Sequence, residues 1–264
     1  MSTWSAWRAH FERNATRPRP LLPADLSLPA DVRRPLVHTL GIFQRGEVGE
    51  GRIAQEVKRA RLSGLDEDYH PALSAFILEE GRHATLLATA LRSLGAAPIE
   101  SSWAEAVFRH TRRAVDVRHE LLVLLAAEVV AVVFYDALAR GLGPSPLGSL
   151  LDNLVEDEEF HLDFHTDFFR ATLPDRRRAR LLFRAQWWAI GTAACGTVLV
   201  DHAATFKALG LSRRDLVRRV HATLQRVDDG VSAGPAPSYG PRHAPGPAGL
   251  EPATLGTKNR CSAS

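Results

Sequence analysis

Apolar residues recur along this chain at intervals of three and four, the period of an amphipathic helix, and no segment alternates with the period of two that a half-buried strand requires. From Asp31 to about Gly64, Leu36, Leu40, Phe43, Val48, Ile53 and Val57 mark one face of a first long helix, and Pro35 suits its first turn. A second helix, from about Glu67 to Leu94, carries Leu73, Phe76, Ile77, Leu86, Leu87 and Leu91 and stops at Gly95, with Pro98 just beyond. The third, from about Val115 to Arg140, is apolar nearly all round between Leu121 and Phe134 and ends at Gly141 to Pro144. The fourth runs from about Pro146 to Leu173 with Leu150, Leu154, Phe160, Phe164 and Phe168 on its apolar positions, and Pro174 bounds it. A fifth, from about Arg176 to Leu209, contains small residues from Gly191 to Gly196, which predict close approach by another helix. A sixth covers about Ser212 to Val227. The pattern predicts an all-α protein.

The ends differ from the middle. Residues 1–30 combine Trp4, Trp7 and Phe11 with Pro18, Pro20, Pro23 and Pro29, which predicts a proline-rich arm lying on the body of the protein. Residues 31–229 read as a single helical domain. Within it, 95 to about 113 form a crossover with a short helical lead-in around Trp103 to His110, and 176–229 supply two additional C-terminal helices. Past Asp229 the composition shifts to Gly, Pro, Ala and Ser, so residues 230–264 are expected to be a disordered tail.

Composition narrows the class. With 264 residues, 45% of them hydrophobic, the chain is long enough to bury a large core. The formal charge is only +3, and the clusters Arg176 to Arg178, Arg213-Arg214 and Arg218-Arg219 lack interleaved aromatic platforms. They read as solvated helix faces, and no nucleic-acid partner is expected. Two cysteines, Cys195 and Cys261, make no disulfide framework. The N-terminus has charges where a signal peptide needs an apolar run, and no segment holds about 18 uninterrupted apolar residues. A cytoplasmic protein with no membrane partner is therefore expected.

The chemistry lies in a repeat. Glu79-Glu80-Gly81-Arg82-His83 and Asp157-Glu158-Glu159-Phe160-His161 each contain Glu-x-x-His, which puts a carboxylate and an imidazole one turn apart on one helix face. Thirty residues before each lies another glutamate, Glu50 and Glu128. The pairs Glu50/Glu128, Glu80/Glu158 and His83/His161 are all separated by 78 residues, whereas Glu47, one turn before Glu50, maps onto Leu125. The repeat thus favours Glu50 over Glu47. An ionised Glu128 in so apolar a helix costs several kcal/mol, on the order of the desolvation penalty of a buried charge, unless something compensates it. Solvent exposure or an arginine partner is one solution; a metal is the other. Four carboxylates balance two divalent ions, and each imidazole supplies one nitrogen.

These residues resemble the ferritin-like superfamily of carboxylate-bridged di-iron or dimanganese four-helix bundles, in which two helices give one Glu each and the other two give Glu-x-x-His. The resemblance spans residues 31–173. It implies a ferritin-like bundle with a crossover connection and metal ligands Glu50, Glu80, His83, Glu128, Glu158 and His161. It also implies Glu79 and Asp157 as acceptors that hold His83 and His161 through their free ring nitrogens. Glu79 to His83 fits the longer oxygenase form of the motif, with acid before Glu and Arg before His; the second copy has Phe160 where that form has Arg. Tyr135 is a phenol near the metals or a core tyrosine, and His165 an extra ligand or, the favoured reading, a packed or supporting histidine. His38, His110 and His119 fall outside the repeat and receive no role. The cofactor implied is a pair of iron ions, with manganese or a mixed pair accepted by the same donors.

The expected activity is dioxygen-dependent oxidation or hydroxylation of a small organic substrate, drawing on an external electron donor, in a chain that extra helices let pair as a homodimer. Two alternatives stand beside it. One is a ferritin- or rubrerythrin-like protein that stores iron or removes peroxide, and the other is a metal-free structural or partner-binding bundle.

Overall fold

Capping side chains set several of the helix starts. Ser2, Asp116, Ser145 and Ser212 each accept a hydrogen bond from the backbone N–H three residues on, satisfying a donor that the first turn leaves open. The computed structural model describes residues 2–48, 51–100 and 115–233. In chain order the helices are α1 (Thr3–Asn14), α2 (Ala30–Glu47), α3 (Gly51–Ala60), α4 (Tyr69–Ser93), α5 (Val117–Leu142), α6 (Pro146–Thr172), α7 (Arg177–Asp201), α8 (Ala203–Ala208) and α9 (Arg213–Ser232). Among the described residues there is no strand, and the protein is all-helical.

Three boundaries depart from the sequence pattern. The first long helix is interrupted: α2 ends at Glu47, Val48 is extended (φ −84°, ψ 124°), and α3 starts at Gly51. Apolar residues on both sides keep the helical period, so the break is invisible to periodicity. The fifth helix is broken as well, because His202 (φ −100°, ψ 18°) leaves the helical path between α7 and α8. The last helix runs on to Ser232 and buries Val231, so residues 230 to 232 belong to the body and not to a tail. The lead-in around Trp103 to His110, and the chain from 234 onward with Cys261, lie outside the described residues.

The bundle that positions the site consists of α2 against α4 and α5 against α6, with α4 also touching α6. Helices α7 and α9 cover α5, α9 also packs on α6, and α8 lies on α2. Where α9 approaches α7, a Cβ on Gly191 would come within 2.5 Å of Leu224 Cδ2, so that side chain would have to shift, and Trp187 Nε1 donates to the Leu224 carbonyl at 3.0 Å. Helix α5 is long and apolar enough to cross a bilayer by length and composition, yet most of it is buried inside the protein. Its apolar surface is satisfied by its neighbours.

The N-terminal arm is itself part of the core. Trp4, Trp7 and Phe11 of α1 are buried and pack with Tyr69, Phe76 and Phe164, which ties α1 to α4 and α6 through aromatic edges and faces.

Candidate metal centre

Helices α4 and α6 each present a carboxylate and an imidazole one turn apart, and their packing brings the two pairs together. Glu80, His83, Glu158 and His161 are all buried, with one donor atom of each within 4.8 Å of the others. The His83 Nδ1 lies 3.0 Å from Glu158 Oε1 and 3.7 Å from Glu80 Oε1, and the His161 Nδ1 lies 2.8 Å from Glu158 Oε2 and 2.9 Å from Glu80 Oε1. Each carboxylate therefore faces both rings.

The outward nitrogens are held by a second pair of acids in a crossed arrangement. His83 Nε2 meets Asp157 Oδ2 at 3.1 Å, and His161 Nε2 meets Glu79 Oε2 at 3.2 Å. Both acids are fully buried. They are acceptors, so the Nε2 of each ring carries the proton and Nδ1 is left for the centre.

What holds Asp157 and Glu79 comes largely from outside the bundle. The Asn14 amide at the end of α1 donates to Glu79 Oε1 at 2.5 Å and to Asp157 Oδ1 at 2.8 Å. Arg17 Nη2 donates to Asp157 Oδ1 at 2.7 Å, Arg19 Nη1 donates to Asp157 Oδ2 at 2.5 Å, and Arg19 Nη2 lies 3.6 Å from Glu79. From α4 itself, Arg82 donates to Glu79 Oε1 at 2.8 Å. These arm residues have no periodic signature, since polar side chains in a proline-rich stretch read as solvated.

Two more buried carboxylates lie beside this cluster. Glu128 of α5 is buried against Glu158 and Glu80, and Glu47 at the end of α2 is buried against Glu80 and Glu158. Glu47 also accepts the Tyr135 hydroxyl at 2.8 Å. The sequence repeat favoured Glu50 for this position. Glu50 lies outside the described residues, and the carboxylate that the described residues bring to the centre is Glu47.

The electrostatics follow from burial and crowding. Burial, then the charges of Glu158 and Glu80, raises the Glu128 carboxyl well above the ordinary range, and burial with the same two neighbours does so for Glu47. Burial opposes charge on Glu158 too, but the two imidazoles hold it well below its usual value. His83 is pushed up to about 10: burial works against it, and the Glu158 charge and the Asp157 hydrogen bond outweigh burial. His161 rises in the same way through Glu158 and Glu80. Asp157 falls to about 2 although burial opposes this, because His83, Asn14 and Arg19 surround it. In the absence of cations, protons on His83, His161, Glu47 and Glu128 thus offset the carboxylate charge.

The donor set fits divalent ions. Glu80 Oε1, His83 Nδ1 and Glu158 Oε1 are buried and face one another, and when the Nδ1 atoms carry no proton nothing on the protein donates between them. Buried polar atoms without partners are costly, and a cation between them removes that cost. His165, one turn beyond His161, is fully buried between Phe76 and Phe164 with neither ring nitrogen partnered, and burial lowers it to about 3. It is held neutral beside the centre; no donor atom of it belongs to the four-residue cluster. His119 lies at the far start of α5.

The described residues define an all-helical protein with a buried carboxylate and histidine cluster. Comparison with protein-family models, with curated proteins and with solved structures yields no match.

Proposed function

We propose that the chain is a ferritin-like dinuclear metalloprotein in which Glu80, Glu158, His83 and His161 would hold two divalent ions, the imidazoles through Nδ1, with Glu47 and Glu128 as the further carboxylates. The observation that carries this reading is the orientation of the two imidazoles: each Nε2 is tied to a buried acid and each Nδ1 is aimed at the shared carboxylates. Iron is the ion best suited to the reaction we assign, and manganese or a mixed pair fits the same oxygen and nitrogen donors.

We infer an oxidoreductase that uses dioxygen to oxidise or hydroxylate a small organic substrate, with electrons from an external donor. Reduction of dioxygen is the chemistry such a pair supplies when bound. The chain's own residues orient, neutralise and enclose. Asp157 and Glu79 fix the ring planes and raise the basicity of Nδ1. Tyr135 keeps its proton next to Glu47, since burial and the Glu47 charge raise the phenol well above its usual value. That hydroxyl holds a proton available at Glu47 Oε1. Enclosure by α1 on one side and by α7 and α9 on the other excludes bulk water, which supports turnover of a bound substrate over passage of iron into a store.

Anaerobic loading of metal-free protein with ferrous ion, followed by exposure to oxygen, tests the assignment. Two irons per chain and rapid oxygen uptake are expected. Fewer than about one iron per chain, unaffected by Glu128→Ala, would leave a metal-free bundle. Iron uptake far beyond two per chain in a multi-subunit shell would indicate storage.

A further inference from the structure

A second group of metal-type donors lies away from the bundle centre, where α7 gives way to α8 on the flank of α2. His38 of α2, Asp201 at the end of α7 and His202 at the corner each bring a donor atom within 4.8 Å of the other two. Consecutive residues inside a helix point about 100° apart; here Asp201 is the last residue of α7 and His202 (φ −100°, ψ 18°) its cap, and the two side chains come within 4.0 Å. The Asp201 Oδ2 lies 3.5 Å from His38 Nε2 and 4.0 Å from His202 Nε2. Donors arranged tetrahedrally at about 2.0–2.1 Å from an ion sit roughly 3.4 Å apart, so modest closure suffices.

The hydrogen bonds behind this corner fix which nitrogen of His202 is the donor. The Pro35 carbonyl can only accept, so the Thr205 hydroxyl at 3.0 Å gives its proton there. Thr205 Oγ1 then accepts from Thr39 Oγ1 at 2.7 Å, and Thr39 Oγ1, its own proton committed, accepts from His202 Nδ1 at 3.0 Å. His202 therefore carries its proton on Nδ1 and turns the Nε2 lone pair toward Asp201 and His38. An imidazole locked by a hydrogen bond on its far nitrogen is the usual support of a metal ligand. The ring is also clamped in position by Phe43 and Phe134. Asp201 closes α7, whose C-terminal carbonyls favour a cation. The His202 and Asp201 side chains are almost wholly buried, while the His38 side chain is 53% exposed, so solvent reaches the corner at His38.

We propose that His38 Nε2, Asp201 Oδ2 and His202 Nε2 form a separate mononuclear site for a zinc-type divalent ion, with a fourth position open to water. Two imidazoles and one carboxylate suit that class of ion, and neither the spacing nor the donors match a calcium or magnesium cage. Bound there, the ion pins the α7–α8 corner to α2, the helix whose last residue, Glu47, reaches the bundle centre.

The test uses the untagged full chain, stripped of metal and titrated with Zn²⁺ against a chromophoric chelator. One equivalent should disappear, or weaken at least about tenfold, in His38→Ala and in Asp201→Asn, and Thr39→Val should weaken the same equivalent by roughly tenfold by releasing His202 Nδ1. His38 is exposed, so its variant is expected to fold, and circular dichroism checks all three. The outcome does not depend on the bundle centre: if that centre takes no metal, the wild type binds one equivalent and His38→Ala none. Equal stoichiometry and affinity in wild type and His38→Ala overturns the proposal. Loss in His38→Ala without loss in Asp201→Asn also overturns it, because Asp201 would then not be a ligand.

Discussion

The two copies of the acidic motif reach the same geometry by different routes. In α4, Glu79 finds a cation on its own helix, Arg82, three residues on. In α6 the equivalent position is Phe160, and Asp157 receives Arg17 and Arg19 from the N-terminal arm instead. Phe160 is not idle: its ring lies 4.1 Å from that of His10 on α1, so the residue that replaces the arginine helps seat the segment that supplies the substitutes. Glu79 takes Asn14 and Arg19 from the arm as well, so one half of the site combines a cation of its own helix with the arm. The other is completed by a segment more than a hundred residues away in sequence.

The inner shell tests whether the halves are nonetheless equal at the centre. Each contributes one imidazole and one carboxyl whose proton affinity is raised: His83 and Glu47 in one, His161 and Glu128 in the other. Binding of two divalent ions at pH 7 should therefore release up to four protons, two per half, so apparent affinity rises steeply with pH. Calorimetry in buffers of different ionisation enthalpy counts them; release of about two would mean that only one half loads. The same groups set the stability of the metal-free protein. For His83, raised from 6.5 to about 10, the stabilisation is complete below pH 6.5 and lost as pH rises through about 10. The raised carboxyls of Glu47 and Glu128 act with the same sign from about 4.5 upward, because the folded state holds protons that the unfolded state gives up. Metal-free protein should thus lose stability from mildly acidic to alkaline pH, measured by urea midpoint, and metal should flatten the trend.

Removing the arm's anchor is the next largest perturbation. The Trp7 ring is buried against Phe11 and Phe164 and its Nε1 donates to Asp167 at 3.0 Å. Trp7→Ala should cost about 3–5 kcal/mol in chemical unfolding. It should also weaken metal binding, whereas a cavity of similar cost placed in α9 should not.

How much of this was legible in the sequence divides along the same line. The helices of the bundle, both Glu-x-x-His pairs and Glu128 follow from periodicity and from the price of a charge in an apolar helix. The repeat favours Glu50, which lies outside the described residues; what it does not signal is that Glu47, the last residue of α2, is buried beside Glu80 and Glu158. The arm's part in the site was hidden for another reason. Asn14, Arg17 and Arg19 lie in a stretch whose prolines suppress any period, and only the tertiary fold shows that their polar groups face buried acids. The corner at His202 was equally silent, since a helix broken by one residue keeps its apolar pattern on both sides.

Separating the arm's charge from its packing gives a smaller effect. Arg17→Ala combined with Arg19→Ala leaves the α1 aromatics in place but strips both cations from Asp157, which then competes less well for the His83 Nε2 proton. Metal affinity should fall by roughly 10- to 100-fold, with Arg19→Lys restoring part of it. A decrease in thermal stability without any change in affinity would show that the arm only packs.

The smallest effect should come from the half that carries a cation on its own helix. Arg82 is the formal match to the longer motif, yet its side chain is 28% exposed, against 15% for Arg19, and Glu79 keeps Asn14 and Arg19 when Arg82 is gone. A partly solvated arginine on a doubly supported acid is worth about 0.5–1 kcal/mol. Arg82→Ala should therefore weaken metal binding only a few-fold, well short of the arm double variant, when the two are titrated side by side. A loss equal to that of the double variant would invert the comparison. It would make Arg82 the principal support of Glu79 and His161, and would leave the arm as a lid over a centre that its own helices already hold.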